Sequence, residues 1–178
     1  MRRLILLLLL APLASASSVA RLDQRPFSLE VTPACCAITF TAYILGVFPL
    51  EGRFGAFAGR LDTQGAGGTA RAEARIDAAS LVLDGGPIEE DVKAPHFLDV
   101  SHYRDILFRG AATVAGAEVL SGELTIRGVT RPVSLNLRQE GGTVLAETRI
   151  SRSAFGITAR PVLAGDTIAI RIIAPLPR

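Results

Sequence analysis

Between Leu120 and Arg138 apolar and polar residues alternate twice. Leu120, Leu124 and Ile126 fall on one face, with Ser121, Glu123, Thr125 and Arg127 on the other. After the loop Gly128-Val129-Thr130-Arg131-Pro132 the rhythm resumes, with Val133, Leu135 and Leu137 opposite Ser134, Asn136 and Arg138. A period of two gives each strand one apolar and one wet face. The short loop containing Gly and Pro predicts an antiparallel hairpin. Similar segments recur over 27–31, 36–43, 50–62, 70–83, 105–115, 118–127, 132–140, 143–153 and 166–174. The breakers between them are Gly65 to Gly68, Gly85-Gly86-Pro87, Gly116, Gly141-Gly142 and Gly165-Asp166. Many short strands separated by turns predict a sandwich or a barrel, and the pattern alone leaves both open.

One segment breaks the rhythm. Residues 88–94, IEEDVKA, carry acids early and a lysine late, the order that suits a helix dipole, and Pro95 follows. A single helical excursion is expected there. In a barrel it would sit near one end, where it can cover the mouth.

Four blocks of the chain carry a family resemblance. Leu124-Thr125-Ile126, Gly128-Val129-Thr130 and Pro132-Val133 follow an LTI-x-GVT-x-PV-x-L pattern, and 150–157 reads I-S-R-S-A-F-G-I. Upstream stand Gly46 and Gly52-Arg53-Phe54-Gly55-Ala56-Phe57-Ala58-Gly59. Between them lie Phe97-Leu98-Asp99-Val100, Tyr103 and Phe108. In these blocks and their order the chain resembles the YceI family of bacterial periplasmic, polyisoprenoid-binding proteins. The resemblance covers 27–173. It implies an all-β fold: an extended, lipocalin-like antiparallel β-barrel of about eight strands, with one short helix, enclosing an amphiphilic isoprenoid chain.

A barrel of that size holds either packed side chains or one small ligand. Its lining would be Phe40, Phe54, Phe57, Ile76, Phe108, Leu124, Ile126, Val133, Leu135, Ile150, Phe155 and Ile170, with Ile168 and Ile172 beside them. An isoprenoid tail enters such a lining through apolar burial, at about 25 cal/mol per Å². Only its head needs hydrogen-bond partners, at the mouth. Arg152, in the family-like R-S segment, is the headgroup candidate. Its structural alternative is to cap backbone carbonyls or to pair with Asp99.

The chain departs from the family pattern at three places. Cys35-Cys36 stand where the family often has His-Ser, Tyr43-Ile44 precede Leu45-Gly46 in place of polar residues, and Glu89-Glu90-Asp91 replace a basic stretch. Fewer polar groups are left to meet a headgroup, so the ligand is either a different lipid or a fully apolar one.

The first residues read as a leader. Arg2 and Arg3 precede the apolar run Leu4 to Leu10, and Ala14-Ser15-Ala16 supplies a cleavage site, with Ala20 as the alternative. Residues 1–16 are thus expected to be a signal peptide, 21–178 one domain, and the compartment the periplasm. The run is shorter than the roughly 20 residues that span a bilayer. The chain has 19 Lys+Arg and 17 Asp+Glu, and losing Arg2 and Arg3 leaves 17 against 17. With no long basic run, there is no electrostatic footprint for nucleic acid. Arginines scattered among acids read as a solvated outer surface.

Cys35 and Cys36 are the only cysteines. Adjacent cysteines rarely bridge each other, and on a strand they point to opposite faces. One buried and one accessible thiol are expected, with an intermolecular disulfide as the sharper alternative. His96 and His102 are six residues apart, without the i,i+4 spacing of a zinc helix, and read as exposed loop residues. The sequence has no G-x-S-x-G elbow and no Gly-rich phosphate loop after a strand. Glu89-Glu90-Asp91 read as helix-start charges.

A non-catalytic carrier of a long-chain isoprenoid lipid or quinone is therefore expected, with no other cofactor and no metal. Only transient membrane contact is expected, and a homodimer is allowed. Two alternatives remain. One is an envelope stress or interaction protein with a filled barrel. The other is a periplasmic enzyme acting on a lipid at the barrel mouth.

Overall fold

The computed structural model describes residues 26–65, 68–84, 88–113, 119–160 and 163–176. The leader, Gly85-Gly86-Pro87 and Gly116 lie outside the described residues. The strands are β1 (Pro26–Val31), β2 (Ala37–Ile44), β3 (Phe48–Phe54), β4 (Phe57–Gln64), β5 (Thr69–Asp77) and β6 (Leu81–Leu83). The helix α1 (Ile88–Lys93) follows, then β7 (Asp105–Thr113), β8 (Val119–Ile126), β9 (Val129–Glu140), β10 (Thr143–Ser151) and β11 (Thr167–Pro175).

All eleven strands belong to one sheet, in the order β1-β4-β5-β7-β8-β9-β10-β11-β2-β3-β6. Every neighbouring pair is antiparallel. The run from β5 round to β6 curls upon itself. The chain joins its two ends directly, since β6 follows β5 through the 3-10 turn Ala78–Ser80. The all-β antiparallel fold with one short helix is the one the family resemblance implies.

Among the described residues the strands number eleven, not about eight: two of the nine segments legible in the sequence are each split in two by a corner in the chain. In 50–62 the chain turns at Gly55-Ala56. There Gly55 N donates to the Ser80 carbonyl at 3.0 Å and Ala56 N donates to Ser80 Oγ at 3.0 Å. In 70–83 the Asp77 carboxylate accepts from Ala79 N at 3.0 Å and starts the 3-10 turn that separates β5 from β6. The two corners are bound to each other, since Asp77 N also donates to the Ala56 carbonyl at 3.0 Å.

The Leu120–Arg138 hairpin forms with the expected faces: Leu120, Leu124, Ile126, Leu135 and Leu137 are buried, while Ser121, Glu123, Ser134, Asn136 and Arg138 are exposed. Its loop is shorter and earlier than the sequence suggests. Ile126 pairs with Val129, so Arg127-Gly128 is a two-residue turn, and Val129 to Pro132 already belong to β9. Both turn residues have positive φ, 50° and 71°, the combination that matches the twist of a hairpin.

The cysteine expectation is corrected. Cys35 and Cys36 are joined by a disulfide. The argument from alternation fails because β2 begins only at Ala37. Cys35 N and Cys36 N instead both donate to the Thr32 carbonyl, at 3.2 and 3.0 Å, and place the pair in a turn.

Arginine–carboxylate pairs stud the outer surface, among them Arg75–Asp105 at 2.8 Å and Arg171–Glu147 at 2.8 Å. Being exposed, such pairs add little stability. The stability lies in the inward face.

Candidate ligand-binding site

The inward face is divided. Toward one end Leu120, Leu137, Val144, Ala146, Ala70 and Ala174 are buried, and none of them lines the cavity at the other end. Toward the other end longer apolar side chains surround an open volume of about 300 Å³, at the lower end of small-molecule sites.

The cavity wall takes residues from nearly every strand. β2 supplies Ile38 and Phe40, β3 Leu50 and Phe54, β5 Ile76, β6 Leu81 and Leu83, and β7 Ile106 and Phe108. β8 supplies Leu124 and Ile126, β9 Val133 and Leu135, β10 Thr148 and Ile150, and β11 Ile168, Ile170 and Ile172. The Phe40 and Phe54 rings meet at 5.5 Å between centroids. Gly52 makes room for that pair, because a Cβ there would run into the Phe40 ring and come within 2.8 Å of Leu83 Cδ2.

Of the residues singled out from the sequence, the wall brings together Phe40, Phe54, Ile76, Phe108, Leu124, Ile126, Val133, Leu135, Ile150 and Ile170, with Ile168, Ile172 and Arg152. Phe57 and Phe155 are buried but do not line the cavity. Phe57 opens β4 beside the Gly55-Ala56 corner, and Phe155 lies in the 3-10 turn Ser153–Phe155, where it packs into the core.

The helix stands at the mouth. Ile88, Asp91 and Val92 of α1 line the cavity, followed by Phe97 and Leu98. Glu89 fastens the helix to the sheet: one carboxylate oxygen accepts from Leu83 N at 3.1 Å and the other from Lys93 Nζ at 2.6 Å. The Lys93 ammonium holds the Glu89 carboxyl below the usual range, with help from the Leu83 N–H. Opposite the helix, Arg160, Leu163, Ala164 and Gly165 complete the rim. Three wall residues, Tyr43, Arg160 and Leu163, are exposed to solvent and mark the opening. The Asp91 carboxylate accepts from Arg160 at 3.2 Å across the rim and also lies 2.9 Å from His96 Nε2.

Arg152 is buried, and four of its five N–H donors serve backbone carbonyls. Nε donates to Gly165 at 3.0 Å, Nη1 to Ile157 at 2.8 Å and to Ala159 at 2.9 Å, and Nη2 to Ala164 at 2.8 Å. The guanidinium lies over the Phe97 ring at 5.9 Å. Asp99 is engaged elsewhere: it lies 2.8 Å from His102 Nδ1 and accepts from Ser101 Oγ at 3.1 Å. That His102 contact is the main cause holding its carboxyl below the ordinary value, although burial opposes it.

Asp99, Ser101 and His102 bear the residue types of a hydrolytic triad without its geometry. A triad carries the carboxylate and the hydroxyl on opposite nitrogens of the imidazole. Here Ser101 Oγ lies 3.3 Å from Nδ1, the nitrogen that also meets Asp99, and none of the three borders the cavity. No cluster of three potential metal ligands occurs among the described residues.

Sequence reasoning missed other wall residues, Ile38, Leu50, Leu81, Leu83 and Ile106 among them, and two contributors of a different kind. The α1 residues Ile88 and Val92 carry a helical spacing of four, which was legible. Thr148 shares the inward face of β10 with Ala146 and Ile150, and a polar residue in that register was the available signal.

The structure is an antiparallel sheet curled around an apolar, open-ended cavity. The chain belongs to the YceI-like domain family, whose model matches residues 29–174. A UPF0312 protein of Shewanella baltica is 29% identical over 138 residues, covering 75% of this chain and 68% of that protein. Among solved structures, BcnA of Burkholderia cenocepacia has a TM-score of 0.65 at 24% identity, covering 80% of this chain and 97% of that one. A polyisoprenoid-binding domain from Saccharophagus degradans implicated in plant cell wall breakdown has a TM-score of 0.60 at 14% identity, covering 84% of this chain and 98% of that one. The YceI protein of Campylobacter jejuni reaches a TM-score of 0.56 at 16% identity, covering 71% of this chain and 85% of that one.

Proposed function

We propose that the protein is a periplasmic carrier of a long-chain amphiphilic lipid, of the polyisoprenoid or isoprenoid-quinone type. Residues 1–16 would be removed as a signal peptide, leaving 21–178 as one domain. The observation that carries the reading is the cavity of about 300 Å³, walled by isoleucines, leucines and phenylalanines and open at one end. Such a wall offers a charged or sugar-like ligand few polar partners. It offers an alkyl chain apolar contact along its length. Family membership agrees with this use, and so does the printed description of the Saccharophagus domain as polyisoprenoid-binding.

The residues expected to touch the tail are Phe40, Phe54, Ile76, Phe108, Leu124, Ile126, Val133, Leu135, Ile150 and Ile170. With Arg152 spent on carbonyls, its role is to shape the rim loop, and Arg160 and Asp91 are the charged groups at the opening. Beside the opening, the β2–β3 tip exposes Tyr43, Leu45, Val47 and Phe48, a surface suited to brief contact with a membrane.

The test is lipid extraction and mass spectrometry of the full chain, expressed with its leader and purified from the periplasm. A co-purifying long-chain isoprenoid is the expected result. Protein that carries none, and that fails to take up an isoprenoid quinone from detergent, would overturn the reading.

A further inference from the structure

We propose that the Thr148 hydroxyl is a hydrogen-bond anchor inside the barrel, which makes the cavity select isoprenoids bearing an alcohol or carbonyl oxygen over hydrocarbon chains of the same shape. The proposal rests on the carrier reading and adds to it where the ligand's oxygen lies.

Thr148 sits on β10 between Ala146 and Ile150, facing inward. It pairs with Ile170 of β11, which in turn pairs with Phe40 of β2. All three line the cavity, so the hydroxyl is surrounded by hydrocarbon at mid-strand rather than placed at the rim. The other polar side chains on the wall are accounted for. Arg152 is bound to four carbonyls, Asp91 and Arg160 are paired with each other, and Tyr43 is exposed at the opening.

The Thr148 hydroxyl has no hydrogen-bond partner among the described residues. Nor does it belong to the sealed core, because no fully buried side-chain oxygen or nitrogen among the described residues lacks a partner. It therefore opens onto the cavity. An unpaired hydroxyl in apolar surroundings carries a desolvation cost that a ligand oxygen would relieve. The hydroxyl both donates and accepts, so an alcohol and a carbonyl fit equally. Valine at this position would keep the shape and remove the hydroxyl.

The experiment compares wild type, Thr148→Val and Thr148→Ser, delipidated and full length after leader removal. The probes are farnesol and farnesene, which share a C15 skeleton and differ in the oxygen. Affinities are read by displacement of a fluorescent fatty acid. Thr148→Val should weaken farnesol about five- to tenfold, the range of one net hydrogen bond, and leave farnesene unchanged. Thr148→Ser should restore farnesol binding. The ligand-free melting temperature of Thr148→Val should not fall, because no intramolecular hydrogen bond is lost. An equal change for both probes, or none for either, overturns the anchor while leaving the carrier reading intact. A wild type that binds neither probe overturns both.

Discussion

Arg152 Nη2 donates to the Ala164 carbonyl at 2.8 Å, and this bond ties the end of β10 to the rim of the cavity. With the bonds to Ile157, Ala159 and Gly165, one buried side chain organises the whole segment between β10 and β11. Removing it leaves four carbonyls without that donor, and a lost partner costs more than a net hydrogen bond contributes. Arg152→Ala should lower stability by about 3 kcal/mol or more. The loss should be the same in delipidated and lipid-loaded protein, because a ligand that binds only the native state adds its own increment to both variants. Melting curves of the two forms check this. A variant that melts normally when empty but binds poorly would return Arg152 to the role of headgroup ligand.

A second expectation concerns the wall. Phe108 is buried on β7 and borders the cavity. Phe108→Ala should cost about 3–5 kcal/mol, as for other core phenylalanines, and should also weaken lipid retention. Leu124→Asp should be worse, because it places an unpaired charge among hydrocarbon. Chemical denaturation gives the stability change and lipid release gives the retention. Unchanged retention in a folded Phe108→Ala protein would remove that ring from the lipid path.

How far the sequence reaches is clear from particular residues. The face assignment of Leu120, Leu124, Ile126, Leu135 and Leu137 follows from period two, since a strand buried on one face cannot hide its pattern. The corner at Gly55-Ala56 was not legible. Its hydrogen bonds go to Ser80, some 25 residues away, so no local signal marks it. Arg127 fits the strand pattern of its neighbours, whereas the turn needs its positive φ. The Cys35–Cys36 bridge escapes an argument from alternation, because the strand begins only after the pair. The mouth was legible in outline through residues 88–94. Thr148 became distinctive only when every other polar side chain on the wall could be matched to a partner or to solvent.

Acidification should loosen the helix. Lys93 and the Leu83 N–H hold the Glu89 carboxyl below its ordinary value of 4.5. A lowered folded value means that the native state favours the ionised carboxylate. The resulting stabilisation is complete above 4.5 and is lost as pH falls through the lowered value. Glu89→Gln removes the charge and should be less stable at neutral pH. The gap in melting temperature between wild type and Glu89→Gln should then shrink on acidification. A gap that stays constant from neutral pH down to about pH 3 would show that the carboxylate's charge does not fasten α1.

The last expectation concerns delivery. Val47 and Phe48, 67% and 61% exposed, project from the β2–β3 tip beside the opening, where Tyr43 and Leu163 belong to both the surface and the cavity wall. Neither Val47 nor Phe48 lines the cavity, so charging them leaves the ligand's surroundings intact. In water the exposed pair contributes little to folding. Within the boundary of a bilayer, each side chain gains from burial on the order of 1.5–3 kcal/mol. Val47→Glu and Phe48→Glu should therefore melt like wild type and bind lipid from detergent with unchanged affinity. Their uptake of the same lipid from vesicles should be slower, by about tenfold for a loss near 1.4 kcal/mol. Equal uptake rates for wild type and both variants would place the route of entry away from this tip.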